Sequence, residues 1–309
     1  MSRVSEEEVW DRLFRGASLD DCGLAVTDGR YELGGLSLPR PELVERYRLP
    51  RVKILAIEGR VDLRGVRWTS LDFTGAKLAS LRFIGCAIEN CRFTRSSCRD
   101  WRLWDSAVTQ TRFEGSDLRE SVLGPVSENG SRNSYRSVVF DHSDLRGTMY
   151  QSCDFEDCSF LDCNLRRVEF EGAVFRRCVF AGRLEEVTFQ RYMFRGERLP
   201  PNCMEDVDLS RATLRMVDFR NADLEQVRWP VGNDYVVVHD VRAALQKGVS
   251  FLSRRQDLAA RVMASLLQHQ LKWTGESQKT GLINRADLAT DGGVELAEQV
   301  IAVMLDRDL

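Results

Sequence analysis

Apolar residues recur every fifth position through more than half of this chain. The first run starts at Leu63 and continues through Trp68, Phe73, Leu78, Phe83, Ile88, Phe93, Cys98, Leu103, Val108, Phe113 and Leu118 to Leu123. After a slip the pattern resumes at Tyr135 and passes Phe140, Leu145, Tyr150, Phe155, Phe160, Leu165, Phe170 and Phe175 to Phe180. With one residue missing near 181–183, a third run goes from Leu184 through Phe189, Phe194, Leu199 and Met204 to Trp229. Two residues before each large residue, which we call position i, sits a smaller one, such as Val66, Cys86, Cys91, Ser96 or Ser116.

A period of five excludes the common elements. On an α-helix, five residues advance about 140° net, so no apolar stripe forms. On a straight strand, an odd period sends successive units to opposite faces. A short extended piece followed by a corner keeps every unit pointing inward. Positions i−2 and i then share the inner side, and the other three residues make the corner and the outside.

These residues resemble the pentapeptide-repeat family, whose consensus is Ala-(Asp/Asn)-Leu-x-x. Ala222-Asp223-Leu224-Glu225-Gln226 matches it, and Ser116-Asp117-Leu118-Arg119-Glu120 and Ser143-Asp144-Leu145-Arg146-Gly147 come close. The resemblance implies a mainly β fold: a right-handed, four-sided β-helix over residues 61–229. Four units per coil stack residues 20 apart, so Phe73, Phe93 and Phe113 form one ladder. Phe155 stacks with Phe175, and Phe160 with Phe180. About eight coils are expected.

Residues 1–60 read as a helix over 5–14, with Val9, Trp10, Leu13 and Phe14 on one side, and a cap. The cap carries turn signals at Asp28-Gly29 and Gly34-Gly35, two prolines at Pro39 and Pro41, and a strand-like alternation at Val52, Ile54 and Ala56. Residues 124–134 are a polar, turn-rich interruption, and Pro200-Pro201 marks a second irregularity. Residues 230–309 lose the period and read as helical. Helices are expected over 234–247 (Val237, Val241, Leu245) and over 256–273. In the second, Leu258, Val262, Leu266 and Leu267 are assigned to one face. A third follows Asp291 with Val294, Leu296, Val300 and Ile301. This region caps the rod, dimerises or forms a small domain.

Composition changes this picture little. Of 309 residues, 43% are apolar and 29% charged, and the net charge is −3. No bulk charge favours nucleic acid or a membrane. The first residues lack the apolar stretch of a signal peptide, and no apolar run approaches ~20 residues. The expectation is a cytoplasmic protein. Cys86, Cys91, Cys153, Cys158, Cys163 and Cys178 all occupy i−2, where a thiol serves as a small buried apolar group. That spacing is not a zinc knuckle.

No motif for nucleophilic, metal or phosphate chemistry is found, and the three histidines, His142, His239 and His269, form no constellation. Neither enzyme activity nor a cofactor is expected. Architecturally similar family members are quinolone-resistance proteins that bind DNA gyrase or topoisomerase IV by mimicking DNA. The resemblance therefore implies a protein partner of that kind, with the C-terminal helices as a homodimer interface. Under that reading the candidate partner residues are Trp104, Glu128, Asn129, Arg132, Asp154, Glu156, Asp157, Glu169 and Glu171. Trp104 is either an outward anchor or covered by the cap. A DNA mimic needs a sustained acidic face, yet residues 61–123 carry 8 acidic and 10 basic side chains, and a spacing of 20 stacks Arg82 with Arg102 and Arg92 with Arg112. Residues 141–186 carry 10 acidic and 6 basic. The alternative is a general protein-interaction scaffold with an unrelated partner.

Overall fold

A computed structural model describes residues 5–37, 61–124, 132–191 and 202–307. Within them the repeat is a four-sided coil. Its first two faces are parallel sheets of eight strands each. Their inner residues run Leu63, Phe83, Leu103, Leu123, Tyr150, Phe170, Phe189 and Phe219 on the first face. The second face carries Trp68, Ile88, Val108, Tyr135, Phe155, Phe175 and Met204. The third and fourth faces are held by single bridges such as Asp72↔Arg92 and Lys77↔Ser97, and by strands Ser159–Leu161, Val179–Glu185 and Asp208–Arg215. Eight strands at about 4.8 Å spacing give a rod of roughly 34 Å.

The expected ladders form. Phe73, Phe93 and Phe113 stack at ring-centroid distances of 5.2 and 4.9 Å. Phe155 lies 4.9 Å from Phe175, and Phe160 lies 4.6 Å from Phe180. Stacked rings also meet a neighbouring face edge-on, as Phe155 does Phe170 at 6.0 Å. Both geometries suit the aromatic quadrupole.

Two backbone features make the corner. Residue i+2 takes a left-handed conformation at corner after corner, from Ser70 (φ 56°) and Asn90 (φ 51°) to Asp157 (φ 53°) and Asn221 (φ 50°). His142, read as a corner residue, has φ 60°. Its N–H then donates to the next coil, as Ser70 does to the Glu89 carbonyl at 3.0 Å and Asn90 to Thr109 at 3.0 Å. Meanwhile the i−2 side chains donate to the preceding coil. Ser96 Oγ reaches the Phe73 carbonyl at 2.6 Å, Thr148 Oγ1 that of Leu118 at 3.0 Å, and Cys153 Sγ that of Leu123 at 2.7 Å. Small hydroxyls and thiols at i−2 thus do more than leave room: they add a rung between coils.

The insertions are set by pairing. Ile88↔Val108 spans 20 residues, but Val108↔Tyr135 spans 27, so seven extra residues fall between Leu123 and Tyr135. Residues 125–131 lie outside the described residues. The third run, already marked as irregular at Pro200-Pro201, needs correction in its unit count. Phe189 pairs with Phe219, thirty residues on, so ten extra residues fall between Phe189 and Met204. The expected coil units Phe194 and Leu199 lie outside the described residues. Ten residues equal two units, so the insertion keeps the period in phase. The missing residue lies between Phe180 and Leu184, where Val179–Glu185 runs through a corner as one strand.

Helix α1 (Glu6–Arg15) is capped by Ser5, whose side chain accepts from Glu8 N, and ends at left-handed Gly16. Its buried side is Val9, Trp10, Leu13 and Phe14, as the spacing predicts. It shares the rod's core, and Trp68 Nε1 donates to the Leu13 carbonyl at 3.0 Å. Asp28-Gly29 makes a two-residue hairpin turn with both φ positive, and Tyr31 and Ser37 then pair with Leu71 and Lys77. The alternation at Val52, Ile54 and Ala56 falls outside the described residues.

After Pro230 a second core begins. The helix expected over 234–247 is in its first part a strand, Tyr235–Val238, paired antiparallel with Gly281–Asn284. Three consecutive valines favour extended backbone, and Asp240 caps helix α2 (Val241–Leu252) by accepting from Ala243 N. His239 accordingly sits just before the helix. Helix α3 (Leu258–Trp273) is capped by Asp257, α4 (Arg285–Gly292) by Asn284, and α5 (Val294–Met304) follows. On α3 the single apolar face is also corrected. Ala260, Met263, Ala264 and Leu267 are buried, whereas Leu258, Val262 and Leu266 are exposed.

This module covers the last coil with side chains in place of another strand. Asp287 Oδ2 accepts from Met216 N at 2.7 Å, and Asn284 Nδ2 donates to the Leu214 carbonyl. Gln278 accepts from Ala222 N at 3.2 Å and donates to the Phe219 carbonyl at 3.3 Å. These groups satisfy backbone that would otherwise template another chain.

Candidate partner-binding surfaces

The exterior is set by register. Outward residues one position after the inner one stack in columns, and each face has its own character. On the second face the column reads Thr69, Glu89, Thr109, Arg136, Glu156, Arg176 and Glu205. On the first it includes Arg64, Ile84, Trp104, Gln151, Glu171, Gln190 and Arg220. On the fourth, Arg99, Arg119, Arg146 and Arg166 stand one coil apart. Charge alternates in sign along the second-face column from Arg136 to Glu205, whereas the fourth-face column is basic and the first is largely uncharged.

The candidate acids do not form one surface. Glu156 and Asp157 lie at the second face with Arg177 between them, at 2.5 and 2.8 Å, and Arg136 reaches Glu156 at 2.9 Å. The Arg177 guanidinium holds both carboxyls below their usual range. Asp154 binds Arg132 Nε at 2.9 Å, while Arg132 also donates to the carbonyls of Cys153 and Gly172. Arg132 is thereby a brace for the chain re-entering the rod. Glu169 is exposed on the first face, beside Met149 and Thr188 in register. Glu171 is buried and accepts from Gln151 at 3.0 Å. Glu128 and Asn129 lie outside the described residues.

Trp104 is not an exposed anchor. It is only 8% accessible, and its Nε1 is buried. Register places Ile84 on one side and Gly124 on the other, so its in-register neighbours on the face are uncharged.

The stacked arginine pairs expected at Arg82/Arg102 and Arg92/Arg112 are present. Acids in adjacent positions make them tolerable: Asp62 on Arg82, Asp100 on Arg102 at 2.7 Å, Asp72 on Arg92 at 3.0 Å. The notch on the fourth face lined by Arg119, Glu120, Arg146, Gly147, Arg166 and Arg167, about 300 Å³, has charged walls rather than the apolar lining of a small-molecule site.

All six i−2 cysteines are buried and free. Burial pushes the Cys91 and Cys163 thiols up to about 12. Among the described residues no three metal-ligating side chains gather, and no helix is long and apolar enough to cross a membrane.

One surface escapes the sequence reading. On α3, Leu258 is 69% exposed, Leu266 40%, Trp273 38% and Val262 36%. The signal was present, since the helix carries apolar residues on two opposite sides, but periodicity alone does not say which side is covered.

The geometry defines a four-sided coil of five-residue units. Residues 59–95, 139–182 and 203–227 match the profile of pentapeptide repeats in eight copies, so the rod is built of that family's repeat. No curated protein matches the chain. Among solved structures, it is similar to trypsin-treated QnrB1 R167E, a plasmid-mediated fluoroquinolone resistance protein. The identity is 18% over 65% of this chain and 90% of that one, with a TM-score of 0.24. HetL, a pentapeptide-repeat protein involved in heterocyst differentiation regulation from the cyanobacterium Nostoc, is 14% identical over 66% of this chain and 89% of its own, with a TM-score of 0.26. Rfr23, from the cyanobacterium Cyanothece, is 13% identical over 64% and 87%, with a TM-score of 0.16.

Proposed function

We propose that this protein is a non-enzymatic scaffold that binds another protein along a rigid rod. The observation that carries the reading is the mosaic exterior. A DNA mimic must present like charge over many coils, but the candidate acids Asp154, Glu156 and Asp157 are each bound to an arginine. Glu169 and Glu171 stand on another face. Mixed charge on flat, rigid β faces suits specific recognition of one protein surface, where complementarity of pattern sets the partner. The two insertions support a preferred edge. Both fall between the first and second faces, three coils apart, or about 14 Å.

Gyrase supercoiling and topoisomerase IV decatenation, each with a fluoroquinolone, test the choice between the two partner classes. The scaffold reading predicts no protection and no binding at micromolar protein. Dose-dependent protection would establish the topoisomerase reading instead.

A further inference from the structure

Helix α3 carries a second, largely apolar face that is exposed along its length, with the Arg220 guanidinium of the rod beside Trp273 at its end. At 100° per residue, Leu258, Val262, Leu266 and Trp273 fall within a sector about 100° wide, together with the small Ser265 and with His269. The sector lies opposite the buried Ala260, Met263, Ala264 and Leu267. All six of its residues are exposed. It runs the full 16 residues of the helix, about 24 Å. It is made of two short side-chain rows, Leu258/Val262/Leu266 and Ser265/His269/Trp273, the footprint of a second helix laid along it, and Ser265 leaves space there for a larger side chain of the occupant.

Charge at the edges narrows the occupant. Arg261 and Lys272 line one flank, both exposed, and exposed Arg254 precedes the helix, next to Arg255, which is paired with Asp257 at 3.1 Å. The helix itself contains no acidic residue, in a chain whose net charge is −3. We propose that this face docks an amphipathic helix of a partner protein whose apolar seam is flanked by carboxylates. A second copy of this chain does not supply them. In an antiparallel pair the basic flank would meet itself, and in a parallel pair it would meet the uncharged flank at Gln270. A bilayer fits poorly as well. The seam ends at Trp273, whose ring lies 5.0 Å from the Arg220 guanidinium of the rod, so the rod adjoins the end of the seam that a bilayer would have to cover. The inference shares the scaffold reading's claim of a protein partner but uses a different surface, so it stands or falls separately from the rod.

The probe is a fluorescein-labelled 18-residue helical peptide with a leucine seam flanked by glutamates. Its control carries lysines in their place. Anisotropy with the full chain should show micromolar binding of the glutamate peptide only. Val262→Asp/Leu266→Asp, both exposed and expected to leave the melting curve unchanged, should weaken it at least about tenfold. Arg261→Glu/Lys272→Glu should reverse the preference toward the lysine peptide, a switch that mere loss of folding does not produce. No binding, or equal binding of both peptides, would overturn the proposal. So would dimerisation in sedimentation equilibrium, or cosedimentation with phosphatidylglycerol vesicles, if abolished by Val262→Asp/Leu266→Asp.

Discussion

At the scale of the residue, a typical unit combines one inward apolar side chain, an i−2 residue that donates to the preceding coil where it is Ser, Thr or Cys, and a left-handed corner. The corner is a cost for any side chain bearing a Cβ, of about 1–2 kcal/mol. It persists because the corner N–H is bonded to the next coil. Gln110 (φ 49°) shows how to test this. Gln110→Gly relieves the strain and adds chain entropy, so stability should hold or rise slightly. Gln110→Val puts a β-branched residue where it fits least and should cost about 1–2 kcal/mol by urea denaturation. The inner position is less forgiving. Phe160→Ala, between Phe140 and Phe180, should cost about 3–5 kcal/mol. The thiols offer a chemical check: Cys203, half-buried at an outward position, should label first with iodoacetamide at pH 8. Cys91 and Cys163, held protonated by burial, should label only on unfolding.

At the scale of the element, what the sequence reveals depends on whether packing repeats. The ladders are legible because a period of five has one compact solution and the aromatic residues recur at twenty. Helix α1 is legible because its four apolar residues face one side. The second insertion is legible only in part: Pro200-Pro201 marks an irregularity, but ten residues fit the period, so its length shows only in the pairing of Phe189 with Phe219. Tyr235–Val238 reads as helix because Val237, Val241 and Leu245 suit that spacing, and tertiary pairing with Gly281–Asn284 decides otherwise. Partner surfaces are the least legible, because outward positions are free of the repeat. Trp104 and the acids can be placed on the outside, but not as covered or ion-paired. The C-terminal module's docking is likewise invisible, since it rests on side chains far apart in sequence. Gln278→Ala/Asp287→Ala leaves backbone groups of the last coil without partners, at about 1–3 kcal/mol each. Denaturation should then split into two transitions, and limited proteolysis should release the module first. A single unchanged transition would mean the docking contributes nothing.

At the scale of the whole molecule, the account is a rod capped at both ends, whose coil length departs from twenty residues in few places. Two of these departures, the insertions, share one edge. That claim fixes which residues lie beside each other on the surface, and every reading of the exterior follows from it. Engineered cysteine pairs test it most directly. In-register neighbours on adjacent parallel strands sit about 4.8 Å apart, within disulfide reach. Thr109 pairs with Arg136 across the first insertion, 27 residues on. Thr109→Cys/Arg136→Cys should therefore oxidise to an intramolecular disulfide, mapped by peptide mass spectrometry. Thr109→Cys/Asn129→Cys, twenty residues apart, should not. The reverse result would show an uninterrupted coil and contradict the account.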